Sequence, residues 1–130
     1  VGIMSQKGNI HLNIGKPLTE EEIAEAAQCD KNDRYQKIRH AVDLRVIEGY
    51  KLWKNNYIAY DIANHSFKYS DQYSREDMEQ FVAYMEHQLD TVEPEINRED
   101  LRRIFLDIYA NPVVTKELLQ KEKATGAILL

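Results

Sequence analysis

Four histidines, one cysteine and 22 Asp and Glu residues are the side chains that could do proton-transfer, nucleophilic or metal chemistry in this 130-residue chain. Their spacing argues against most of it. His11, His40, His65 and His87 stand far from one another, and Cys29 is isolated from all four. Zinc sites announce themselves by ligands at short, regular spacing, so these read as four unrelated, mostly exposed imidazoles. Cys29 lies beside Asp30, and no Gly-x-Ser-x-Gly occurs. An adjacent carboxylate disfavours a thiolate, the wrong direction for a nucleophile. The carboxylates are dispersed along helical segments, as on a solvated face. Glu48-Gly49-Tyr50-Lys51 has the glycine and cation of a phosphate loop. A helix stop followed by a surface lysine accounts for it with nothing left over, and is the reading favoured. No catalytic residue, cofactor or metal ligand is expected.

The segment from Tyr50 to Tyr60 is the densest in special side chains. It holds the only tryptophan, Trp53, with Tyr50, Tyr57, Tyr60, Lys51 and Lys54. Amphipathic aromatics among lysines suit a membrane–water interface. They suit a buried connector too, with hydroxyl and indole groups reaching polar partners. An interfacial helix shows a longer one-sided apolar face, which favours the connector. Tyr50, Trp53 and Tyr57 are the candidate contact residues.

These positions must be held by secondary structure that the local pattern specifies. Ile10, Leu12 and Ile14 alternate with His11 and Asn13, the period of a half-buried strand. With the apolar run from Val1 to Met4 and the turn at Lys7-Gly8-Asn9 they predict a short β-hairpin. Two strands alone are marginal in water, so this pair calls for helices or further strands over it. Gly15-Lys16-Pro17 ends the strand. Thr19 and Glu22 then form a capping box, with Leu18 and Ile23 as its staple, for a helix ending near Gln28. Asp33 caps a second helix over 34–48, with Ile38, Ala41, Val42 and Ile47 inward and Gly49 as its stop. A short helix over 57–63 turns Ile58, Ala59 and Ile62 inward, and 65–73 is a loop. Ser74 and Asp77 cap the clearest helix, with Met78, Phe81, Val82, Met85, Leu89 and Val92 at helical spacing. Asn97 caps the next, with Leu101, Ile104, Phe105 and Ile108 inward and Asn111-Pro112 as its end. A last helix over 113–123 turns Val114 and Leu118 inward, and 124–130 form a frayed tail.

Composition narrows the partners. The net charge is −5, with 30% charged residues of both signs. A nucleic-acid binder needs a clustered basic surface, so that class is excluded. A hydrophobic content of 43% suffices for one modest core. No apolar run reaches the ~18 residues of a membrane span, and no signal peptide is visible. The single cysteine suits a reducing compartment. The opening at Val1, already apolar, reads as a piece of a longer polypeptide.

Two stretches resemble a known family. Asn9-Ile10-His11-Leu12-Asn13-Ile14-Gly15-Lys16-Pro17-Leu18 is similar to the late strand and Gly-x-Pro-hydrophobic segment of the glycerophospholipid acyltransferase (PlsC-like) domain. Gly49-Tyr50-Lys51-Leu52-Trp53-Lys54-Asn55-Asn56-Tyr57-Ile58-Ala59-Tyr60-Asp61 resembles the region that follows it in a bacterial branch labelled haemolysins. That branch reads Asn-Tyr-x-Leu-x-Pro-x-Asn-Tyr-Ile-Ala. Here Gly49 replaces the first Asn and Lys54 the Pro. The resemblance covers about the first half of the chain. It implies a parent that transfers an acyl group from acyl-CoA or an acyl carrier protein to a lysophospholipid or glycerol phosphate hydroxyl. In that family a His-x4-Asp pair supplies and orients the general base. Five residues after each histidine here stand Lys16, Arg45, Ser70 and Val92, so no such pair exists. The Phe-Pro-Glu-Gly-x-Arg motif is also missing. Only Gly15 and Pro17 map onto a family position, in a turn.

The expectation is therefore a mainly α (α+β) chain, with a hairpin followed by about five or six helices. Residues 1–18 would be a strand remnant of the acyltransferase domain, 19–123 a helical C-terminal domain and 124–130 a tail. The chain itself would be non-catalytic, packing on the upstream catalytic domain of the same polypeptide or on a partner. The parent would sit on the cytoplasmic side of an inner membrane. The alternatives are a freestanding helical protein-interaction domain and a peripheral membrane-binding module.

Overall fold

The computed structural model describes residues 8–125 and is mainly helical, with no strand among them. The chain divides after Lys51 into two compact units.

The first unit holds α1 (Glu20–Ala27) and α2 (Lys31–Glu48). Thr19 caps α1 as its sequence requires. Its Oγ1 accepts from the Glu22 amide at 3.1 Å, and Glu22 Oε1 accepts from the Thr19 amide at 3.0 Å. Asp30, not Asp33, caps α2. Asp30 Oδ1 accepts from the Asp33 amide at 3.0 Å, so the helix begins a turn earlier than expected. Gly49 is the C-cap, as expected. The buried apolar residues of the two helices are Ala26, Ala41 and Leu44. Val42, expected inward, is 43% exposed.

The expected hairpin does not form. Val1–Met4 lies outside the described residues. Residues 8–19 carry no regular secondary structure, and Ile10, Leu12 and Ile14 are 82%, 82% and 88% exposed. A strand exists only where another backbone completes its hydrogen bonds, and no described segment does so.

The second unit holds α3 (Lys54–Asn64), a single 3₁₀ turn (Ser70–Gln72), α4 (Arg75–Asp90) and α5 (Arg98–Thr125). Its core joins Ile58 and Ala59 of α3, Phe81, Met85 and Leu89 of α4, and Leu106 and Ala110 of α5. Phe81 and Tyr109 meet edge to face with centroids 5.5 Å apart, and Phe105 lies 5.1 Å from Tyr109. Ser74 and Asp77 make the expected reciprocal cap of α4. Asn97 Oδ1 accepts from the Asp100 amide at 3.1 Å and caps α5. Arg98 and Arg102 bridge Glu86, tying the start of α5 to the end of α4.

α5 corrects two expectations together. It does not stop at Asn111-Pro112 but runs 28 residues with Pro112 inside. Proline removes one helical amide and disfavours the helix interior. Here burial on both sides of it, at Leu106, Ala110, Val113 and Leu119, holds the helix through. The face is also different. Ile104, Ile108, Val114 and Leu118, expected inward, are 53%, 64%, 38% and 55% exposed.

Candidate functional site

The most elaborate polar arrangement in the chain lies in the second unit, where the loop after α3 returns to α4. Asp61 is the one buried charged residue among those described, 1% exposed. A buried carboxyl group is tolerated only with its hydrogen bonds made, and the loop supplies them. Ser66 Oγ donates to Oδ1 at 2.8 Å, and the Tyr69 amide to Oδ2 at 3.1 Å. The Tyr73 hydroxyl donates to Oδ2 at 2.7 Å. The chain can turn sharply enough because His65 adopts the left-handed conformation, with φ 50°. Burial, with the bond to Asp61, pushes the Tyr73 hydroxyl up to about 12, so it remains a donor at ordinary pH.

A second carboxyl group gathers the outer side of the same loop. Glu117 of α5 accepts from Tyr60 at 3.3 Å, from Tyr69 and from Lys68 at 3.0 Å. Burial alone would raise its pKa. The bonds from Tyr69 and Lys68 outweigh that and hold it below the usual carboxylate range. The Tyr69 ring lies between Tyr57, tilted against it at 4.9 Å, and Tyr60, edge to face at 5.3 Å. Lys68 Nζ lies 5.5 Å from the centroid of Tyr69. Burial raises the Tyr69 hydroxyl well above the ordinary tyrosine range, and Glu117 adds to the effect. These groups are spent on one another. Asp61 and Glu117 fix the loop, and neither is placed as a base toward open space.

The first unit contains an open hollow of about 350 Å³ lined by Asn13, Gly15, Lys16, Arg45, Glu48 and Gly49, among others. Arg45 is already engaged. It forms an ion pair with Glu22 and donates to the Ala41 carbonyl at 3.0 Å and the Pro17 carbonyl at 3.5 Å. Its guanidinium holds Glu22 below the usual carboxylate range, helped by the Thr19 amide. Gly49 caps α2, and the Asn13 side chain lies over it. A Cβ there would lie 1.9 Å from Asn13 Nδ2 and 2.6 Å from Asn13 Cγ.

The residues singled out by sequence are distributed as follows. Gly15 lines the hollow without a positive φ. Pro17 lends its carbonyl to Arg45. Tyr50 is 38% exposed and falls in the first unit. Trp53 is the half-buried N-cap of α3, its amide donating to Asn56 Oδ1 at 2.8 Å. Tyr57 is half-buried and packs on Tyr69. Tyr57 thus joins the aromatic cluster around Tyr69. Neither Asp61 nor Glu117 stands in a motif; the available signal for Asp61 is a lone acid inside the otherwise apolar and aromatic run Tyr57–Ile62.

All four histidines are exposed, and none hydrogen-bonds a carboxyl group among the described residues. Nor do three His, Cys, Asp or Glu side chains converge there as metal ligands would. No described helix is long and apolar enough to cross a membrane. No family model, curated protein or solved structure matches the chain.

Proposed function

We propose that this chain is a non-catalytic helical region of a phospholipid or glycerol acyltransferase-like protein, built to pack on the catalytic half of its parent. The observation that carries the packing is the row Ile10, Leu12 and Ile14. Three large apolar side chains at strand period stand more than four-fifths exposed. Each costs roughly 1.5–3 kcal/mol to leave in water when it could be buried. A sheet that accepts this segment as an edge strand would bury one face and complete its backbone bonds. The acyltransferase assignment rests on the resemblance at residues 9–18 and 49–61. The exposed, unpaired histidines agree with a chain that has no general base of its own.

The test has two parts. Incubated with an acyl thioester and a lysophospholipid or glycerol phosphate, the chain transfers no acyl group; measurable turnover overturns the reading. The reading frame around it encodes a His-x4-Asp pair upstream; a start codon immediately before Val1 overturns it in favour of a freestanding interaction domain. Membrane association belongs to the parent in this reading. Co-sedimentation of the chain alone with anionic vesicles, abolished by Trp53→Ala, would instead favour the peripheral membrane module.

A further inference from the structure

We propose that α5 is hinged at Pro112 and that Asn56 is the latch on that hinge, so that the chain entering α3 and the far half of α5 are released together. Pro112 stands inside the helix. A proline there withholds an amide from the carbonyl four residues back, Ile108, and its ring pushes that carbonyl aside. The ladder opens on that side, and helices bend at such points. Two side chains hydrogen-bond carbonyls within a turn of the proline. Asn56 Nδ2, from the first turn of α3, donates to the Tyr109 carbonyl at 2.8 Å. Thr115 Oγ1 donates to the Asn111 carbonyl at 2.9 Å. A threonine bonded back in this way favours a bend.

Asn56 uses both ends of its carboxamide. Oδ1 accepts from the Trp53 amide at 2.8 Å and so secures the start of α3. The Trp53 amide can only donate and the Tyr109 carbonyl can only accept, which fixes the orientation of the group. One half-buried side chain thus holds the entry of α3 to a point on α5 53 residues away in sequence. Drawing Trp53 off Oδ1 frees the carboxamide to leave Tyr109 as well. The two halves of α5 are held differently. Before the proline, Leu106 and Ala110 belong to the core cluster. Beyond it, Val113 and Leu119 are buried, and Glu117 binds Tyr60, Lys68 and Tyr69. Opening the hinge gives up the bonds to Glu117. It leaves those on Asp61, so the loop over 66–73 keeps its inner anchor.

Native-state hydrogen exchange of the whole chain tests it. Asn56→Asp keeps an acceptor for Trp53 and loses the donor for Tyr109. The expected result is exchange about tenfold faster at the amides of 113–119, with the Tyr69 amide and the centre of α4 unchanged. Asn56→Ala quickens the same amides and also shifts Trp53 emission to the red, because the cap goes with the latch. Pro112→Ala returns the missing amide and slows exchange over 113–119. In that background Asn56→Asp changes exchange by less than about twofold, since the carbonyls no longer tip outward. An Asn56→Asp effect of the same size with and without Pro112 overturns the proposal, because Asn56 then acts through packing alone. So does exchange quickened evenly over α3, α4 and α5, or Trp53 emission unmoved by Asn56→Ala.

Discussion

The two units are held together by different physics. The second has a contiguous core from three helices, with Phe81, Met85 and Leu89 set against Ile58, Ala59, Leu106 and Ala110. The first buries two alanines and a leucine, and fastens α1 to α2 through Glu22 and Arg45. Apolar burial is non-directional and insensitive to pH. A partly exposed ion pair contributes little and depends on conditions. The second unit can therefore stand alone, while the first is a hairpin of helices with small stability of its own. Its Ile10, Leu12 and Ile14 are more than four-fifths exposed and add nothing to that small core.

Two native reporters separate the units, Trp53 in the second and Cys29 in the first. The largest effect expected is from Phe81→Ala, which costs about 3–5 kcal/mol. Trp53 fluorescence should record the lower denaturation midpoint, while the alkylation rate of Cys29 stays as it was. If both reporters move together, the units are one cooperative body and the contrast fails. Next is Asp61→Ala, at about 2–4 kcal/mol, because it strands buried donors of Ser66, Tyr69 and Tyr73. Asp61→Asn should cost less, since one amide oxygen still accepts; equal losses would show that packing, not the bonds, matters there.

Acid should then reach the first unit before the second. Glu22 is depressed in the folded state by Arg45 and Thr19. Its contribution is present above the unfolded glutamate pKa and is lost as pH falls through the lower folded value. Cys29 alkylation should accelerate over that range while Trp53 emission is still native. Glu86 is depressed as well, by Arg98 and Arg102, so the α4–α5 junction loosens in acid too. Glu117 is depressed too, but the apolar cluster of Phe81, Met85, Leu89, Ile58, Ala59, Leu106 and Ala110 carries no titratable group. Simultaneous loss of both reporters would refute the ordering. The smallest effect is Thr19→Ala, about 1 kcal/mol. In so slight a unit it should raise Cys29 reactivity visibly, whereas Ser74→Ala of equal cost should hardly move Trp53.

What could be read from the sequence was what is local. Thr19 with Glu22, Ser74 with Asp77 and Asn97 each cap within three residues, and all three do so in the structure. Asp30 and Asp33 illustrate the limit. Both are good caps, and only the packing of the helix decides between them. α5 shows a deeper one. Its apolar residues form two interleaved stripes, and local spacing cannot say which one meets the core. Pro112 appeared to end the helix because the burial that carries it through comes from distant residues. The polar loop was legible as a loop only. Its anchors, Asp61 and Glu117, lie up to 12 and 57 residues from their partners in sequence. The row at residues 10–14 had the pattern of a strand, but pattern supplies only one side of a ladder.

The bonds gathered on Asp61 have a consequence for how the second unit opens. Ser66, Tyr69 and Tyr73 share one acceptor group, so releasing one leaves the others binding the same buried atoms. The loop has no inexpensive half-open form. The amide proton of Tyr69 should exchange with solvent deuterium as slowly as those at the centre of α4, and a protease should find no foothold between 66 and 73 until the entire helical cluster comes apart.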